Sequence, residues 1–254
     1  LRFLVSLGLI LFLVFTFISL ATGPVEVSPT DIFRVLKELP LRKLRLLACK
    51  ARQAEDTTYI IITQLRLPRT LLAIIVGVGL AVSGAILQAT FRNPLVDPYI
   101  TGVSAGAALF ACVSMLIPLF ASSMAYLSVP FFAFIGGLLA LSLTVLMAKA
   151  AGETPVSMAL AGVLVGIAFS AATSIVLVIG GERVHGVFFW LFGSFAYATW
   201  DVCAIVWLPV LLLSFIAFLK AKELNLLLLG DEQAFQLGLN VKRFKRAMII
   251  LASL

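Results

Sequence analysis

Charge is the scarcest property of this sequence. Of its 254 residues only 12% are charged, whereas 62% are hydrophobic. Residues 70–91, 99–148 and 156–180 contain no Asp, Glu, Lys, Arg or His. A water-soluble domain of this length needs far more polar surface than this composition supplies. A soluble globular fold is therefore excluded, and because a helix of about 20 apolar residues crosses the hydrocarbon layer, these stretches indicate several membrane spans.

Several chemical motifs are also missing. No G-x-x-x-x-G-K-[ST] phosphate loop occurs, so the chain does not hydrolyse ATP through that device. There is no H-E-x-x-H motif, and Cys49, Cys112 and Cys203 do not have the paired spacing of a zinc site. The spans lack the Asp, Glu or His that ion-coupled carriers place at membrane depth. We expect no catalytic residue, metal or cofactor in this chain, and active transport would need a driving force from elsewhere.

The charges that are present give a net charge of +7. In a membrane protein, basic loops ordinarily face anionic lipid headgroups. Nucleic-acid binding is disfavoured because no basic patch is interleaved with aromatic residues on a soluble domain. The partner indicated by charge alone is membrane lipid, not nucleic acid.

The apolar runs predict an all-α fold, a polytopic transmembrane helical bundle with about six to seven spans. The N-terminal run is longer than the apolar core of a signal peptide, about 7–15 residues, and is interpreted as the first span. A short amphipathic helix, Pro29–Leu39, is expected after it, with Ser28 as its N-cap. The predicted spans are Leu4–Thr22, Thr70–Thr90, Thr101–Leu119, Val129–Ala148, Val156–Ile179 and Val202–Leu219, and a seventh begins near the C-terminus.

The run Gly102–Gly106 (GVSAG) fits two patterns. As G-x-S-x-G it would be a hydrolase nucleophile turn, which needs a preceding strand and a His partner. A polar loop with Pro98 precedes it instead, and the only histidine, His185, lies in an interfacial stretch. As G-x-x-x-G it lets two helices approach closely in lipid, which is the favoured interpretation. The residues expected at such contacts are Gly79, Ser83, Gly102, Gly106, Gly162 and Gly166.

Five ordered blocks carry a resemblance to a known family. They are Leu65–Arg69 (LRLPR), Gly77–Gln88 (GVGLAVSGAILQ), Phe91–Pro98 (FRNPLVDP), Gly102–Gly106 and Leu224–Val241 (LNLLLLGDEQAFQLGLNV). Together they resemble the FecCD-type permease family, the membrane subunits of binding-protein-dependent ABC importers for iron chelates, haem and cobalamin. The family unit has about ten spans, and this chain ends soon after the sixth, so we expect either a fragment or a truncated gene product.

The resemblance implies a permease that is not an enzyme and that lies in the cell (cytoplasmic) membrane. It would work as a homodimer with ATPase subunits inside and an extracytoplasmic substrate-binding protein outside. ATP and Mg would be bound by the ATPase partner, so no cofactor is expected in this chain. The alternatives that remain are an ion-coupled secondary transporter and a non-transporting membrane anchor subunit.

The resemblance also assigns roles to residues at matching positions. Arg66 and Arg69 would dock the binding protein, with lipid-headgroup anchoring as the alternative. The coupling residues would form two short helices that dock into the ATPase, with a solvated loop as the alternative; they are Gly230, Asp231, Glu232, Gln233, Ala234, Leu237 and Gly238. The translocation path and inner gate would include Thr154, Pro155, Val156, Met158, Leu160, Gly162 and Ser170.

The expected organisation is one transmembrane permease domain over residues 1–254. Within it, residues 23–69 form an outer amphipathic segment, and residues 222–246 form the cytoplasmic coupling segment. Residues 41–56 are a basic insert that the resemblance does not explain.

Overall fold

The computed structural model describes residues 2–37, 57–117, 125–196 and 198–254, without the side chains of 125–127, 182 and 183. The basic insert at 41–56 lies outside the described residues. Every regular element in the described ranges is helical. The helices are α1 (Arg2–Ala21), α2 (29–37), α3 (Thr57–Phe91), α4 (Val103–Leu116), α5 (Ala125–Ala150), α6 (Pro155–Gly180), α7 (His185–Leu191), α8 (Trp200–Leu219), α9 (Ala221–Leu229), α10 (Asp231–Gln236) and α11 (Val241–Ser253).

Five of these helices, α1, α3, α5, α6 and α8, are long and apolar enough to cross a membrane, and α4 is a shorter apolar helix. The predicted all-α, polytopic fold is therefore confirmed. The predicted break after the second span is also present: α3 ends at Phe91, and Arg92 has a φ of 51°. Two prolines in the following loop prevent the helix from continuing.

The helix that contains the predicted second span begins before it. The span is predicted from Thr70, whereas α3 begins at Thr57 and passes through Pro68. A π-helical segment, Ile61–Arg66, makes this passage possible. In this wider turn the Leu67 N–H bonds the carbonyl of Ile62, five residues back. The next carbonyl, that of Thr63, would face the nitrogen of Pro68, which has no hydrogen to donate.

The unpaired Thr63 carbonyl is satisfied from another helix. The indole Nε1 of Trp200 donates a hydrogen bond to it at 3.0 Å. Thr63 is buried, so its carbonyl would otherwise lie without a partner away from water. A helix can therefore pass through Pro68, because the Trp200 side chain supplies the hydrogen bond that proline cannot donate.

The described residues form two units, each made from two stretches of chain. The first unit comprises Leu1–Gly77 with Phe195–Val210. One of its buried clusters joins α1, α2 and the beginning of α3, and a second joins α3 to α8. The cluster residues are Leu20, Val27, Ile32, Val35 and Ile62 in the former and Leu72, Ala198 and Cys203 in the latter.

The second unit comprises Val78–Ser194 with Leu211–Leu254. Its helices α4, α5 and α6 are packed closely at positions occupied by glycine. A Cβ on Gly106 would overlap the carbonyl oxygen of Gly136, and one on Gly162 would overlap that of Ile100. Gly102 has a φ of 75°, and a Cβ there would lie 2.8 Å from the carbonyl oxygen of Gly162. Only residues without a side chain allow this backbone-to-backbone packing.

The other small residues predicted at helix contacts are less tightly packed. A Cβ on Gly166 would meet Gly102 Cα at an ordinary 3.7 Å. Ser83 acts through a hydrogen bond, because its hydroxyl donates to the carbonyl of Ala252 in α11. Gly79 is half-buried in α3. The 3₁₀ turn Pro98–Thr101 precedes Gly102, where a hydrolase nucleophile turn would need a strand.

Candidate coupling and docking sites

The segment predicted to couple to a partner is a pair of short helices in the second unit. Gly230, with a φ of 120°, separates α9 from α10, and Gly238, with a φ of 90°, follows α10. Glycine adopts both conformations without the steric cost that a Cβ would add. The two glycines therefore define a six-residue helix, α10, bounded on both sides by sharp turns.

The surface of this helix pair is apolar in part. Phe235 and Leu237 are 72% and 63% exposed, and Leu228 and Leu229 are exposed as well. Among the predicted coupling residues, Ala234 is the buried one. These side chains lie outside the helices that are long and apolar enough to cross a membrane. Clustered exposed apolar side chains are typical of a surface that binds another protein.

The beginning of α10 is held by an ion-pair cluster. Asp231 accepts hydrogen bonds from Lys245 Nζ on both carboxylate oxygens, at 2.7 Å each. Arg92 Nη2 lies 3.4 Å from Asp231 Oδ1. The side chain of Lys245 is only 12% exposed, so its ammonium group is paired with this carboxylate instead of being fully hydrated. A carboxylate at the first position of a helix also interacts favourably with the helix dipole.

A second ion pair holds the loop before α6. Arg246 Nε donates to Glu153 Oε1 at 2.8 Å, and Arg246 Nη2 donates to the same oxygen. Directly after Glu153, the Thr154 hydroxyl accepts a hydrogen bond from the Ser157 backbone N–H, and Ser157 Oγ accepts one from that of Thr154. This reciprocal arrangement is a capping box, and Pro155 begins the helix. The predicted gate loop is thus a rigid helix start tied to α11.

A cavity of about 320 Å³ lies among these groups. Its charged lining comes from Glu153, Asp231, Lys242, Lys245 and Arg246, and Met158 is part of its apolar lining. The two ion pairs therefore border the same space.

The predicted path residues of α6 separate onto two faces. Thr154, Val156, Leu160 and Ser170 are exposed. Met158 and Gly162 are buried; Met158 packs with Leu87, Val96, Ala161 and Ile249 inside the unit. Residues four apart share one face of a helix, so 156 and 160 lie together and 158 and 162 lie on another face. Met158 and Gly162 therefore lie on the packed face of α6, and Val156 and Leu160 lie on its exposed face. The assignment of these residues to a path stays a prediction.

The two arginines predicted to dock a binding protein lie in the first unit, and they also differ in exposure. Arg66 is only 7% exposed, and its Nη1 donates to the carbonyls of Leu20 at 2.7 Å and Ala21 at 2.8 Å. Its Nη2 donates to the carbonyl of Val25. Leu20 and Ala21 end α1, where carbonyls have no partner within the helix. Arg66 is therefore a cap for α1, and this placement disfavours the docking role.

Arg69 remains exposed. Its Nη2 donates to the carbonyl of Ala196 at 3.0 Å, which orients the side chain without burying it. Of the two arginines, only Arg69 presents its charge at the surface of the first unit, and the docking prediction rests on it.

The sequence matches the FecCD transport family over residues 11–254. It is 39% identical over 201 residues to the cobalamin import system permease protein BtuC of Halobacterium salinarum, covering 78% of this chain and 53% of that protein. It is 36% identical over 203 residues to the hemin transport system permease protein HmuU of Yersinia pestis, covering 78% of this chain and 60% of that protein. The chain thus spans 53% and 60% of the length of these two curated relatives.

A similar solved structure is described as an inward-facing conformation of an ABC transporter assigned to the metal-chelate type. It matches with a TM-score of 0.77 and 30% sequence identity, over 98% of this chain and 72% of the solved chain.

Proposed function

Because this chain belongs to the FecCD transport family, we propose that it is the permease subunit of a binding-protein-dependent ABC importer. It is a multi-pass membrane protein, which we place in the cell (inner or cytoplasmic) membrane. Its cargo is an iron–siderophore, haem or cobalamin-type chelate, a class supported by the names of its relatives. The permease does no covalent chemistry, and ATP with Mg is bound and hydrolysed by a partner subunit.

The observation that carries this proposal is the exposed surface of the α9–α10 helix pair. An ATPase can move a permease only through a segment that it binds and that does not deform. The exposed Phe235 and Leu237 supply the apolar binding surface, and the Lys245 ion pair with Asp231 fixes α10 to α11. Binding surface and rigid attachment thus occur within one short segment.

Two further features support the other two proposed partners, a second copy of the chain and a substrate-binding protein. The exposed face of α6, with Val156 and Leu160, is apolar over most of its length and suits a second copy of the chain across a central path. Small and aliphatic residues on such a path would not trap a bulky chelate. Arg69 offers an exposed cation for an acidic residue of a substrate-binding protein.

The test is reconstitution of the chain with its ATPase in proteoliposomes. Introducing a carboxylate into the apolar surface, as in F235D or L237D, desolvates a charge on binding and should prevent the ATPase from co-purifying. ATP-dependent uptake of ferric siderophore, haemin or cobalamin should fall with it. The matched control is L36D, the same substitution at an exposed leucine of α2, which should leave ATPase binding intact.

Two outcomes would replace this proposal with its alternatives. Uptake that ignores ATP and stops when the proton gradient is collapsed would identify an ion-coupled carrier. Failure of the unaltered chain to retain any ATPase would leave a membrane anchor.

A further inference from the structure

We propose that α11 ties the ATPase-binding helix α10 to the start of α6 through two ion pairs, Asp231–Lys245 and Glu153–Arg246. This inference rests on the proposed function and adds positioning residues to it: Glu153, Lys245 and Arg246 transmit displacement and touch no cargo. The structure offers this role because two adjacent residues of one helix bind two separate elements.

The first argument is the geometry of α11. Consecutive residues on an α-helix point about 100° apart around its axis. Lys245 and Arg246 therefore reach in different directions, one to the first residue of α10 and the other to the loop before α6. Met248 and Ile249, within the next turn, are buried in two apolar clusters that include residues of α3. A force on Asp231 therefore acts on a helix that is packed as a rigid element.

The second argument is the backbone of Glu153. Its φ is 58°, in the left-handed region that side chains with a Cβ rarely adopt. Such a conformation persists where the surroundings hold it in place. The Glu153 N–H donates to the carbonyl of Ala148 at 2.8 Å, and its carboxylate is held by Arg246. The capping box that begins α6 follows directly, so a shift of Arg246 would reach the first turn of this helix.

The third argument is the cavity of about 320 Å³ that both pairs border. Displacement normally passes between helices through close-packed side chains. A cavity interrupts this close packing. An ion pair beside it still resists separation of the two elements that it joins, and it can tilt as they move. The cavity gives α10 room to move, and the two pairs determine which elements follow it.

The experiment exchanges the charges of the second pair in the chain reconstituted with its ATPase. E153R and R246E should each lower the amount of cargo transported per ATP hydrolysed about tenfold, the size of a typical coupling effect. The ATPase should still co-purify, because the exposed surface of α10 is unchanged. The double variant E153R/R246E restores opposite charges and should recover most of the ratio.

The matched control is the Asp31–Arg34 pair of α2. Arg34 Nη2 lies 3.3 Å from Asp31 Oδ1, and both residues belong to one helix, so this pair connects no separate elements. D31R and R34D should leave the transport-to-ATP ratio within about twofold, as expected for surface ion pairs.

The outcomes separate this inference from the proposed function. Loss of ATPase binding by the unaltered chain would overturn both. Normal ATPase binding with an unchanged ratio in E153R and R246E would overturn the tie alone. If the single variants fail to fold, a folded double variant that still transports poorly per ATP would also overturn it, because its ion pair is restored.

Discussion

The two units of this protein use partly or wholly buried cations in opposite ways. In the first unit, Arg66 binds backbone carbonyls at the end of α1. In the second unit, Lys245 and Arg246 bind the carboxylates of Asp231 and Glu153. A carbonyl at a helix end is part of the backbone and cannot turn away from its partner. A carboxylate on a side chain can tilt with its cation while the two elements that the pair joins stay connected.

This difference shows what each unit can do with its charges. The Arg66 cap makes α1 and α3 one fixed assembly within the first unit. The side-chain pairs of the second unit leave α10, α11 and the α6 loop as separate elements that remain connected. Residue type alone predicts neither role, since arginine occurs in both.

The largest effect is expected for R66A in the first unit. Removing the guanidinium leaves three carbonyls without their donor, at about 1 kcal/mol or more each, so unfolding should be easier by about 3 kcal/mol. R66K should recover only part of this unfolding free energy, because an ammonium group lacks the planar guanidinium that reaches all three carbonyls. Thermal denaturation of the purified protein in detergent measures this. R69A is the control and should shift the midpoint little, since Arg69 is exposed; equal shifts for the two alanine variants would contradict the cap.

A smaller effect should follow from adding one methyl group to the glycine packing of the second unit. In G162A the Cβ would overlap the carbonyl oxygen of Ile100, and such overpacking costs about 1–3 kcal/mol. G77A is the matched control in the first unit, where no atom lies within 4 Å of the added carbon. It should be neutral or stabilising by up to about 1 kcal/mol, because alanine favours helix over glycine. The same denaturation measurement compares the two variants. A loss of unfolding free energy in G77A as large as that in G162A would contradict the explanation by overpacking.

Parts of this architecture follow from the sequence, and the reasons are local. Charge-free runs predict the spans, and the resemblance of residues 224–241 to the family's coupling segment implies two short helices there. The cap by Arg66 was not predictable, because its carbonyl partners lie 45 and 46 residues away in α1. Within the run Lys242–Arg246, nothing in the pattern identifies which cations bind carboxylates. That selection depends on the direction of α11, which only the folded chain determines.

The packed and exposed faces of α6 were not predictable for a related reason. The resemblance assigns Met158 and Gly162 to the path together with Val156 and Leu160. Their burial depends on which face of α6 packs against the rest of the unit, and α6 is apolar on every side. Amphipathic patterning, which normally reveals the buried face, is absent from such a helix.

The smallest expected effect concerns a neutral counterpart of the Arg66 cap in the same unit. Trp200 donates to the Thr63 carbonyl, which Pro68 leaves without a backbone donor. W200F removes this hydrogen bond and should cost about 1 kcal/mol in unfolding free energy. In the P68A background, residue 68 gains an N–H that can bond the Thr63 carbonyl across the π turn, so the same W200F change should cost less. The cycle of W200F and P68A should therefore be non-additive by about 0.5–1 kcal/mol. The volume lost at Pro68 is the same in P68A and in the double variant, so it cancels in the cycle. Additive free energies would mean that Trp200 stabilises the unit through packing rather than by completing the backbone of α3.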